Sequence, residues 1–315
     1  MPVTLAITAG DPCGIGPEVI LKALGAWRPP AAVRVVVIGD RAVFESTARR
    51  LGRRVPGWPE WSDAGRPDWF TPGQSSAAAG RASLEYVNRA IALARAGRIQ
   101  ALVTGPVTKW AVARARPGFV GHTEYLARAL RAREVVMMFV SDRLRIALLT
   151  RHVPLARVSR AITPALLRAS VRITAETLRA QFGIRRPRLA LCGVNPHAGE
   201  GAPDSVEARV MRPALAALRR QGVACEGPFA ADGLFAASAG RYDAVVCPYH
   251  DQGLIPFKMA ARDRGCQLTA GLPLVRTSPD HGSGLDIAGR GIADPGSMRY
   301  ALALAARLAV HAHRC

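Results

Sequence analysis

Short apolar segments alternate with helical patterns along most of the chain, and this alternation limits the fold more than any other feature of the sequence. Seven segments rich in Val, Ile, Leu or Ala read as buried strands: 5–8, 33–39, 101–105, 135–140, 145–150, 188–193 and 243–247. Five segments read as helices: 17–26, 81–97, 164–182, 205–221 and 300–313. Strands that alternate with helices predict an α/β fold with a mostly parallel sheet covered on both faces.

Residues 53–80 are the least regular part of the chain, because Pro, Gly, Trp and Ser interrupt any periodic pattern there. We expect a surface excursion, such as a hairpin or an arm. The length of 315 residues is enough for one large domain or for two lobes of ordinary size.

Composition excludes several classes of protein. Hydrophobic residues make up 49% of the chain, which is far above what disordered chains contain. No apolar run reaches the roughly 18 to 20 residues of a membrane helix. The N-terminus has no basic region before its short apolar stretch, so we expect no secretory signal. The six cysteines form no CxxC pair, and we therefore expect a reduced, cytoplasmic setting without a disulfide framework.

The net charge of +20 raises the question of nucleic-acid binding. Forty of the 43 basic residues are arginine, spread along the chain without a dense tract, and aromatic residues make up only 6%. We interpret the charge as a solvated surface that attracts small anionic substrates, and we predict no nucleic-acid or membrane partner. A basic nucleic-acid-binding protein is the rival from another class, and a salt-dependent mobility shift with random DNA would favour it.

Lysine occurs only at positions 22, 109 and 258. A lysine kept in an arginine-rich chain can have a specific role, because its compact ammonium differs from a planar guanidinium. Lys109 and Lys258 lie in motif-like segments. Lys22 lies in a plain helical pattern, and we assign it no function.

Polar residues cluster after the predicted strands, where α/β proteins place their chemistry. We expect these polar segments, among them 249–258 and 271–297, to form loops. Three histidines each follow a strand end by a few residues: His152, His197 and His250. Neutral imidazoles bind borderline divalent ions such as Zn, Co or Mn. The spacing matches no local metal signature, so hydrogen-bonded structural histidines remain the alternative reading.

Two glycine-rich segments lie in these polar regions. GDPCGIGPE is neither a dinucleotide fingerprint nor a P-loop, and we read it as a turn between strand and helix, with Pro17 at a first helical position. HGSGLDIAGRGIADP carries glycines that let the backbone approach a ligand closely. Within it Asp286 can accept hydrogen bonds from a ribose diol and repel a 2′-phosphate, or else simply close a tight turn.

Lys258, Gln267 and Arg276 follow one another at intervals of nine residues. Lys258 and Arg276 can bind a carboxylate or phosphate, the arginine in bidentate fashion. An ordinary salt bridge is the alternative for Arg276, given how many arginines the chain contains.

Seven motifs, in this order, resemble the 4-hydroxythreonine-4-phosphate dehydrogenase family of pyridoxal 5′-phosphate biosynthesis. They are TAGDPCGIGPE, TGPVTK, GHTEYLA, NPHAGEG, YHDQGLIPFK, GLPLVRTSPDHGSGLDIAGRG and DPGS, and they cover nearly the whole chain. The segment HGSGLDIAGRGIADP is also similar to the cofactor loop of isocitrate and isopropylmalate dehydrogenases. The resemblance implies a homodimer with an α/β/α fold of that type, without a standard Rossmann domain. We expect a cofactor-side lobe formed by residues 1–130 with 265–315, and a metal- and dimer-side lobe formed by 131–264.

The resemblance also assigns roles to individual residues. It implies a divalent metal (Zn, Mg, Co or Mn) held by His152, His197 and His250, with one of the three supplied across the dimer. Substrate-binding positions map to His122, Thr123, Lys258, Gln267 and Arg276, and cofactor-binding positions to His281, Gly282, Asp286 and Gly289. Lys258 and Asp232 are the candidate catalytic residues, and the identity of the general base stays open.

Two positions depart from the family pattern. Gln267 stands where the family has Asn, so the amide is one methylene further from the backbone, and Ala202 replaces a glycine in NPHAGEGA. The implied activity is metal-assisted, NAD-dependent oxidation of 4-phosphooxy-L-threonine to a β-keto acid, which decarboxylates to 3-amino-2-oxopropyl phosphate. Because of Gln267, a paralogous activity on 4-phospho-threonate or 4-phospho-erythronate is the alternative.

Overall fold

The computed structural model describes residues 2–65, 70–237 and 239–314. The strands are β1 (Val3–Thr8), β2 (Val33–Gly39), β3 (Glu60–Asp63), β4 (Ala101–Thr104), β5 (Val136–Ser141), β6 (Arg145–Leu148), β7 (Leu189–Cys192), β8 (Cys225–Phe229), β9 (Ala244–Cys247), β10 (Gly265–Ala270) and β11 (Val275–Ser278). The helices are α1 (Gly16–Ala26), α2 (Arg41–Arg50), α3 (Ala77–Arg95), α4 (Lys109–Ala115), α5 (His122–Ala129), α6 (Val158–Ala161), α7 (Pro164–Ala180), α8 (Arg212–Arg220), α9 (Ala231–Ala237), α10 (His250–Ala261) and α11 (Gly296–Arg314).

The chain divides into two compact units. Unit 1 comprises Met1–Arg133, Asp263–Gln267 and Leu272–Cys315. Unit 2 comprises Glu134–Arg262 and Leu268–Gly271. Strand β10 contributes its first residues to unit 1 and its last residues to unit 2.

In unit 1 the strand order is β3-β2-β1-β4-β11, and every neighbouring pair in that order is parallel. Helix α3 packs on β1 and β2, while α11 packs on β1, β4 and β11 and also contacts α1. Strands β1, β2 and β4 are buried because they are apolar along most of their length, as Leu5 and Ile7 of β1 show with no exposed surface. Burying each such side chain contributes about 1.5–3 kcal/mol.

In unit 2 the strand order is β5-β6-β9-β7-β8. The β5–β6 pair is antiparallel, and the remaining pairs are parallel. Helix α10 packs on β5, β6 and β9. Its Gly253 is needed for this close approach, because a Cβ there would lie 2.6 Å from the Cγ2 atom of Ile146.

The prediction of an α/β fold with a mostly parallel sheet is confirmed, and each of the seven predicted strands is present within one or two residues of its expected bounds. The sequence reading missed β3, β8, β10 and β11. These strands carry Gly, Pro, Gln, Arg or several polar residues, and their patterns are therefore weak.

The expected hairpin or arm in 53–80 is wrong where the structure describes that segment. Residues 60–63 form the edge strand β3, which pairs in parallel with β2, and α3 already begins at Ala77. Residues 66–69 of the same segment lie outside the described part of the chain.

Three further expectations need correction. The segment 249–258, expected as a loop, forms most of α10, and the long loop expected over 271–297 contains the strand β11. The helix expected over 205–221 begins with a π-helical turn at Glu207–Met211, and α8 follows it.

Among the described helices, none combines the length and the apolar character that crossing a bilayer requires.

Candidate active site

Three predicted metal ligands lie at the ends of three neighbouring parallel strands of unit 2. His152 follows β6, His250 begins α10 shortly after β9, and His197 follows β7. Strands β6, β9 and β7 are adjacent in that order. Because the carboxyl ends of parallel strands share one edge, the fold brings the three histidine-bearing loops to the same edge of unit 2.

Side-chain hydrogen bonds tie these strand ends together. Thr150 donates from its Oγ1 to the carbonyl oxygen of Pro248 over 2.7 Å, which joins the segment after β6 to the segment after β9. Gln252 of α10 donates from its Nε2 to the carbonyl oxygen of Gly193 over 2.7 Å, which joins α10 to the end of β7. The loops that carry the histidines are therefore fixed to one another.

Two of the three histidines have left-handed backbone conformations. The φ angle is 44° at His152 and 50° at His197, and Ala198 and Glu200 next to His197 are also left-handed. Such a conformation costs a non-glycine residue of order 1 kcal/mol or more, and it persists where surrounding contacts enforce it.

Glu207 enforces the conformation of the His197 loop. Its Oε1 accepts hydrogen bonds of 2.8 Å from the backbone N–H groups of Val194 and Asn195, and its Oε2 accepts one of 2.9 Å from the Asn195 side chain. Burial alone would raise the pKa of Glu207, but these hydrogen bonds outweigh it and lower the pKa. Sequence reasoning missed Glu207, and its only local signal is a carboxylate in an otherwise helical, half-apolar segment.

The three histidines of one chain are not close enough together to hold one metal ion among the described residues. The ring centres of His152 and His250 lie 6.0 Å apart. Nδ1 of His250 lies 2.7 Å from an oxygen of Asp251, which orients the ring and leaves Nε2 for another partner. Within the described residues of one chain, no three His, Cys, Asp or Glu side chains are close enough together to hold one ion. The thiol of Cys247, at the end of β9, is fully buried, and this burial raises its pKa well above the usual range.

Unit 1 contains a buried arginine on β11. Arg276 is only 2% exposed, and its guanidinium donates hydrogen bonds to Oε1 of Gln267 and, over 2.6 Å, to Oγ1 of Thr104. Gln267 Oε1 also accepts a hydrogen bond of 2.8 Å from Ser278. Burial lowers the pKa of Arg276 to about 10, so the guanidinium remains protonated at neutral pH. Neutral side chains thus bind the buried guanidinium, and the negative charge of Glu124 also acts on it.

His122, the first residue of α5, is held in its neutral form. Burial lowers the pKa of His122 to about 3, and the positive charges of Arg276 and Lys109 act in the same direction. Its Nε2 is buried and has no hydrogen-bond partner among the described residues. The adjacent Thr123 is also buried. An unpartnered buried nitrogen costs free energy, and a ligand that hydrogen-bonds to it would remove that cost.

The glycine-rich segment 281–295 also lies in unit 1. Nε2 of His281 is buried without a hydrogen-bond partner in the described part of the chain, whereas the Asp286 side chain is exposed. Gly289 has φ 81°, and a Cβ there would lie 2.8 Å from the side chain of Pro72. At Gly282 a Cβ would meet nothing within 4 Å, so open space borders this part of the segment.

The first glycine segment has the expected form and contacts the second one. Pro17 lies in the first turn of α1, and a Cβ at Gly16 would lie 2.3 Å from the carbonyl oxygen of Ala9. Ile15 donates its N–H to the carbonyl oxygen of Ser283 over 2.8 Å, and Thr108 donates to the Ser283 hydroxyl over 2.9 Å. The turn after β1 therefore shapes the segment 281–295.

The candidate catalytic residues lie in unit 2. Lys258 is an exposed residue of α10, and Asp232 is an exposed residue in the first turn of α9, which follows β8. Lys258 and Arg276 belong to different units.

His122 makes the stability of the protein depend on pH. The unfolded chain binds a proton at this residue near pH 6.5, whereas the folded chain does so only near pH 3. The folded state therefore loses stability as pH falls below 6.5, by roughly 1–2 kcal/mol between pH 7 and pH 5. We expect His122→Gln to remove this part of the loss, measured by urea unfolding at both pH values. The exposed His313→Gln variant is the control, and an unchanged pH dependence in His122→Gln would contradict the assignment.

Known proteins resemble the chain over almost all of its length. Residues 31–305 match the family described as "Pyridoxal phosphate biosynthetic protein PdxA". A protein of Desulforapulum autotrophicum named 4-hydroxythreonine-4-phosphate dehydrogenase is 41% identical, over 96% of this chain and 94% of its own. A crystal structure from Klebsiella pneumoniae with the same name has a TM-score of 0.86 and 33% identity, and the match covers 98% of this chain and 99% of that one.

A third relative carries a different name. The crystal structure of a terephthalate 1,2-cis-dihydrodiol dehydrogenase from Burkholderia xenovorans has a TM-score of 0.68 and 32% identity, over 98% of both chains. The family match and the extent of these alignments lead to one conclusion. The chain belongs to the PdxA family of pyridoxal phosphate biosynthetic proteins.

Proposed function

We propose that the chain is a dehydrogenase that oxidises 4-phosphooxy-L-threonine in the formation of pyridoxal phosphate, with NAD as hydride acceptor and a divalent metal as cofactor. The observation that carries the proposal is the buried cation of Arg276 beside a neutral His122, whose Nε2 has no hydrogen-bond partner among the described residues. The names of the relatives support the choice of substrate. The chain has an excess of positive charge, and this charge attracts anionic substrates such as a phosphorylated acid.

The substrate carries about three negative charges near neutral pH, because the second pKa of its phosphate is roughly 6. In the proposed mode Arg276 forms charge-assisted hydrogen bonds with an anionic group of the substrate. His122 Nε2 and Thr123 supply neutral hydrogen bonds. Lys258 is proposed as a further substrate contact, and with Asp232 it is a candidate to accept the proton that leaves the substrate hydroxyl.

The edge of unit 2 that carries His152, His197 and His250 supplies part of the proposed metal site. His152 and His250 are close enough for one ion at about 2.0–2.1 Å from each donor nitrogen, and the third imidazole is proposed to be the partner subunit's His197. Two exposed apolar side chains one turn apart on α10, Ile255 at 61% and Met259 at 77%, support a second copy as the cover of this region. A divalent ion held there would stabilise negative charge on the substrate oxygen.

The segment 281–295 fits a dinucleotide. The buried Nε2 of His281 has no partner among the described residues, Asp286 offers an exposed carboxylate, and Gly282 and Gly289 leave the backbone accessible. NAD would supply the acceptor for the hydride. The product is a β-keto acid, and it loses CO2 because the adjacent ketone accepts the electrons of the breaking C–C bond. The remaining product is 3-amino-2-oxopropyl phosphate.

Gln267 favours a second candidate substrate. Its Oε1 binds both Arg276 and Ser278, so the longer side chain determines how the guanidinium is presented. A four-carbon phosphorylated sugar acid, 4-phospho-threonate or 4-phospho-erythronate, would lack the amino group but use the same contacts. The relative that is 32% identical to this chain is named for a different substrate, a terephthalate dihydrodiol. Substrates therefore differ among the names of related chains.

The decisive measurement is NADH formation from these three phosphorylated acids, with and without added divalent metal. We expect the highest kcat/KM with 4-phosphooxy-L-threonine and a strong dependence on metal. Arg276→Ala should lower kcat/KM by roughly 30-fold or more, because a charge-assisted contact in a partly dry site is worth about 2–5 kcal/mol. Arg34→Ala, an exposed strand arginine, is the control. Greater activity with a sugar acid would select the second candidate, and a loss below about threefold in Arg276→Ala would exclude Arg276 as the anion site.

Mixed dimers test the shared metal site. If His152 and His250 come from one chain and His197 from the other, a mixture of inactive His152→Ala and His197→Ala chains regains activity, because one of the two sites in a mixed dimer is complete. A mixture of His152→Ala with His250→Ala should stay inactive and metal-poor. Activity and bound metal are measured on purified mixed dimers. Recovery in the second mixture but not in the first would show a different division of the ligands.

Asp286 tests the choice of dinucleotide. We expect the wild type to prefer NAD over NADP, because the carboxylate repels a 2′-phosphate. Asp286→Ala should narrow this preference, and Asp286→Asn separates the effect of charge from that of shape. The ratio of kcat/KM values for the two dinucleotides is the measurement, and a wild type that prefers NADP would show that Asp286 does not act in this way.

A further inference from the structure

Lys22 of α1 contacts the segment 281–295, which lies about 270 residues further along the sequence. Its Nζ donates hydrogen bonds to the carbonyl oxygens of Gly291 and Ala293 over 2.9 and 2.8 Å, and to Oε1 of Glu18 over 2.8 Å. The same oxygen of Glu18 accepts a hydrogen bond of 2.9 Å from the backbone N–H of Ala293. Two side chains of one helix thus bind the backbone N–H and the backbone carbonyl group of Ala293.

We propose that Lys22 and Glu18 are positioning residues that hold 291–293 and thereby set the affinity of the protein for its dinucleotide. The inference rests on the proposed binding of NAD to the segment 281–295. It corrects the sequence interpretation, which assigned Lys22 no function.

Glu18 is buried, Lys22 is half-buried, and the ammonium group of Lys22 has a partner for each of its donors. The side chains of Lys22 and Glu18 are 15% and 3% exposed. An ammonium group has three donors, and all three are used here on three acceptors. A buried ion pair persists only when its remaining donors and acceptors are bound in this way, and removal of one partner leaves an uncompensated charge.

The geometry also explains why a lysine is present. Forty of the 43 basic residues of the chain are arginine, so arginine is the usual cation of this sequence. A guanidinium is planar and its N–H groups point outward in one plane, whereas the three acceptors of Lys22 surround a single nitrogen. Arginine cannot reproduce this contact within the same space.

Two anchors enclose two of the four proposed dinucleotide contacts. Ser283 is held by Ile15 and Thr108, and residues 291–293 are held by Lys22 and Glu18. Between the anchors lie Asp286 and Gly289, in a stretch without helix or strand. Few backbone hydrogen bonds fix such a stretch, so its conformation depends on its anchors.

The test compares Lys22→Met, Lys22→Arg and the wild type. NADH binding is measured by fluorescence titration, and exchange of the backbone amides of 281–295 is measured by hydrogen–deuterium mass spectrometry. We expect Lys22→Met to weaken NADH binding about tenfold or more, to speed exchange in 281–295, and to change the KM for the phosphorylated substrate by less than about twofold. Lys22→Arg should also bind NADH more weakly than the wild type, because arginine does not reproduce the three contacts of Lys22. Arg41→Met, which breaks the exposed i,i+4 pair of Arg41 with Glu45 on α2, is the matched control.

A double variant separates positioning from charge compensation. In Glu18→Gln/Lys22→Met no buried charge is left without a partner, so the melting temperature should recover toward that of the wild type. NADH binding should stay weak, because the bonds to the carbonyl oxygens of Gly291 and Ala293 are still missing. NADH binding within twofold of wild type in this folded double variant would overturn the inference. A wild type that binds no NADH would instead overturn the proposed function and the inference with it.

Discussion

Parallel strand pairing puts the carboxyl ends of neighbouring strands at one edge, and the candidate site of this chain depends on that constraint. In unit 2 the strands β6, β9 and β7 deliver His152, His250 and His197 to one edge. In unit 1 Thr104 stands at the end of β4, and its hydroxyl receives a hydrogen bond from Arg276 of the neighbouring strand β11. Most of the central strands bury mainly apolar side chains, whereas β10 and β11 also bury Gln267 and Arg276.

The loops at these ends keep their conformations through buried or half-buried polar side chains that belong to none of the proposed ligand-binding sets. Glu207 holds the left-handed His197 segment, and Thr150 and Gln252 join the strand ends of unit 2. Lys22 and Glu18 serve the same purpose for the segment 281–295. Such residues offset the strain of unusual backbone conformations, and a change in one of them displaces groups that it does not itself contact.

The electrostatics of unit 1 follow from burial. A buried guanidinium keeps its charge because arginine has a very high intrinsic pKa, while the neighbouring imidazole of His122 loses its proton at neutral pH. The result is a neutral hydrogen-bonding group on which the positive charges of Arg276 and Lys109 both act. A phosphate or carboxylate suits such surroundings better than a further cation does.

The sequence by itself determined the α/β class, the seven strongest strands, the polar segments that follow them and, through seven ordered motifs, the family. These features depend on local periodicity and composition, which a single chain displays directly. Strands such as β11, with the sequence VRTS, were not predicted, because their polar residues do not give the apolar pattern of a buried strand. Only the tertiary structure shows that β9 pairs with both β6 and β7. The same is true of the role of Glu207 and of the hydrogen bonds from Lys22 to Gly291 and Ala293. They join residues far apart in the chain, and no local pattern specifies which distant carbonyl oxygen a lysine will meet.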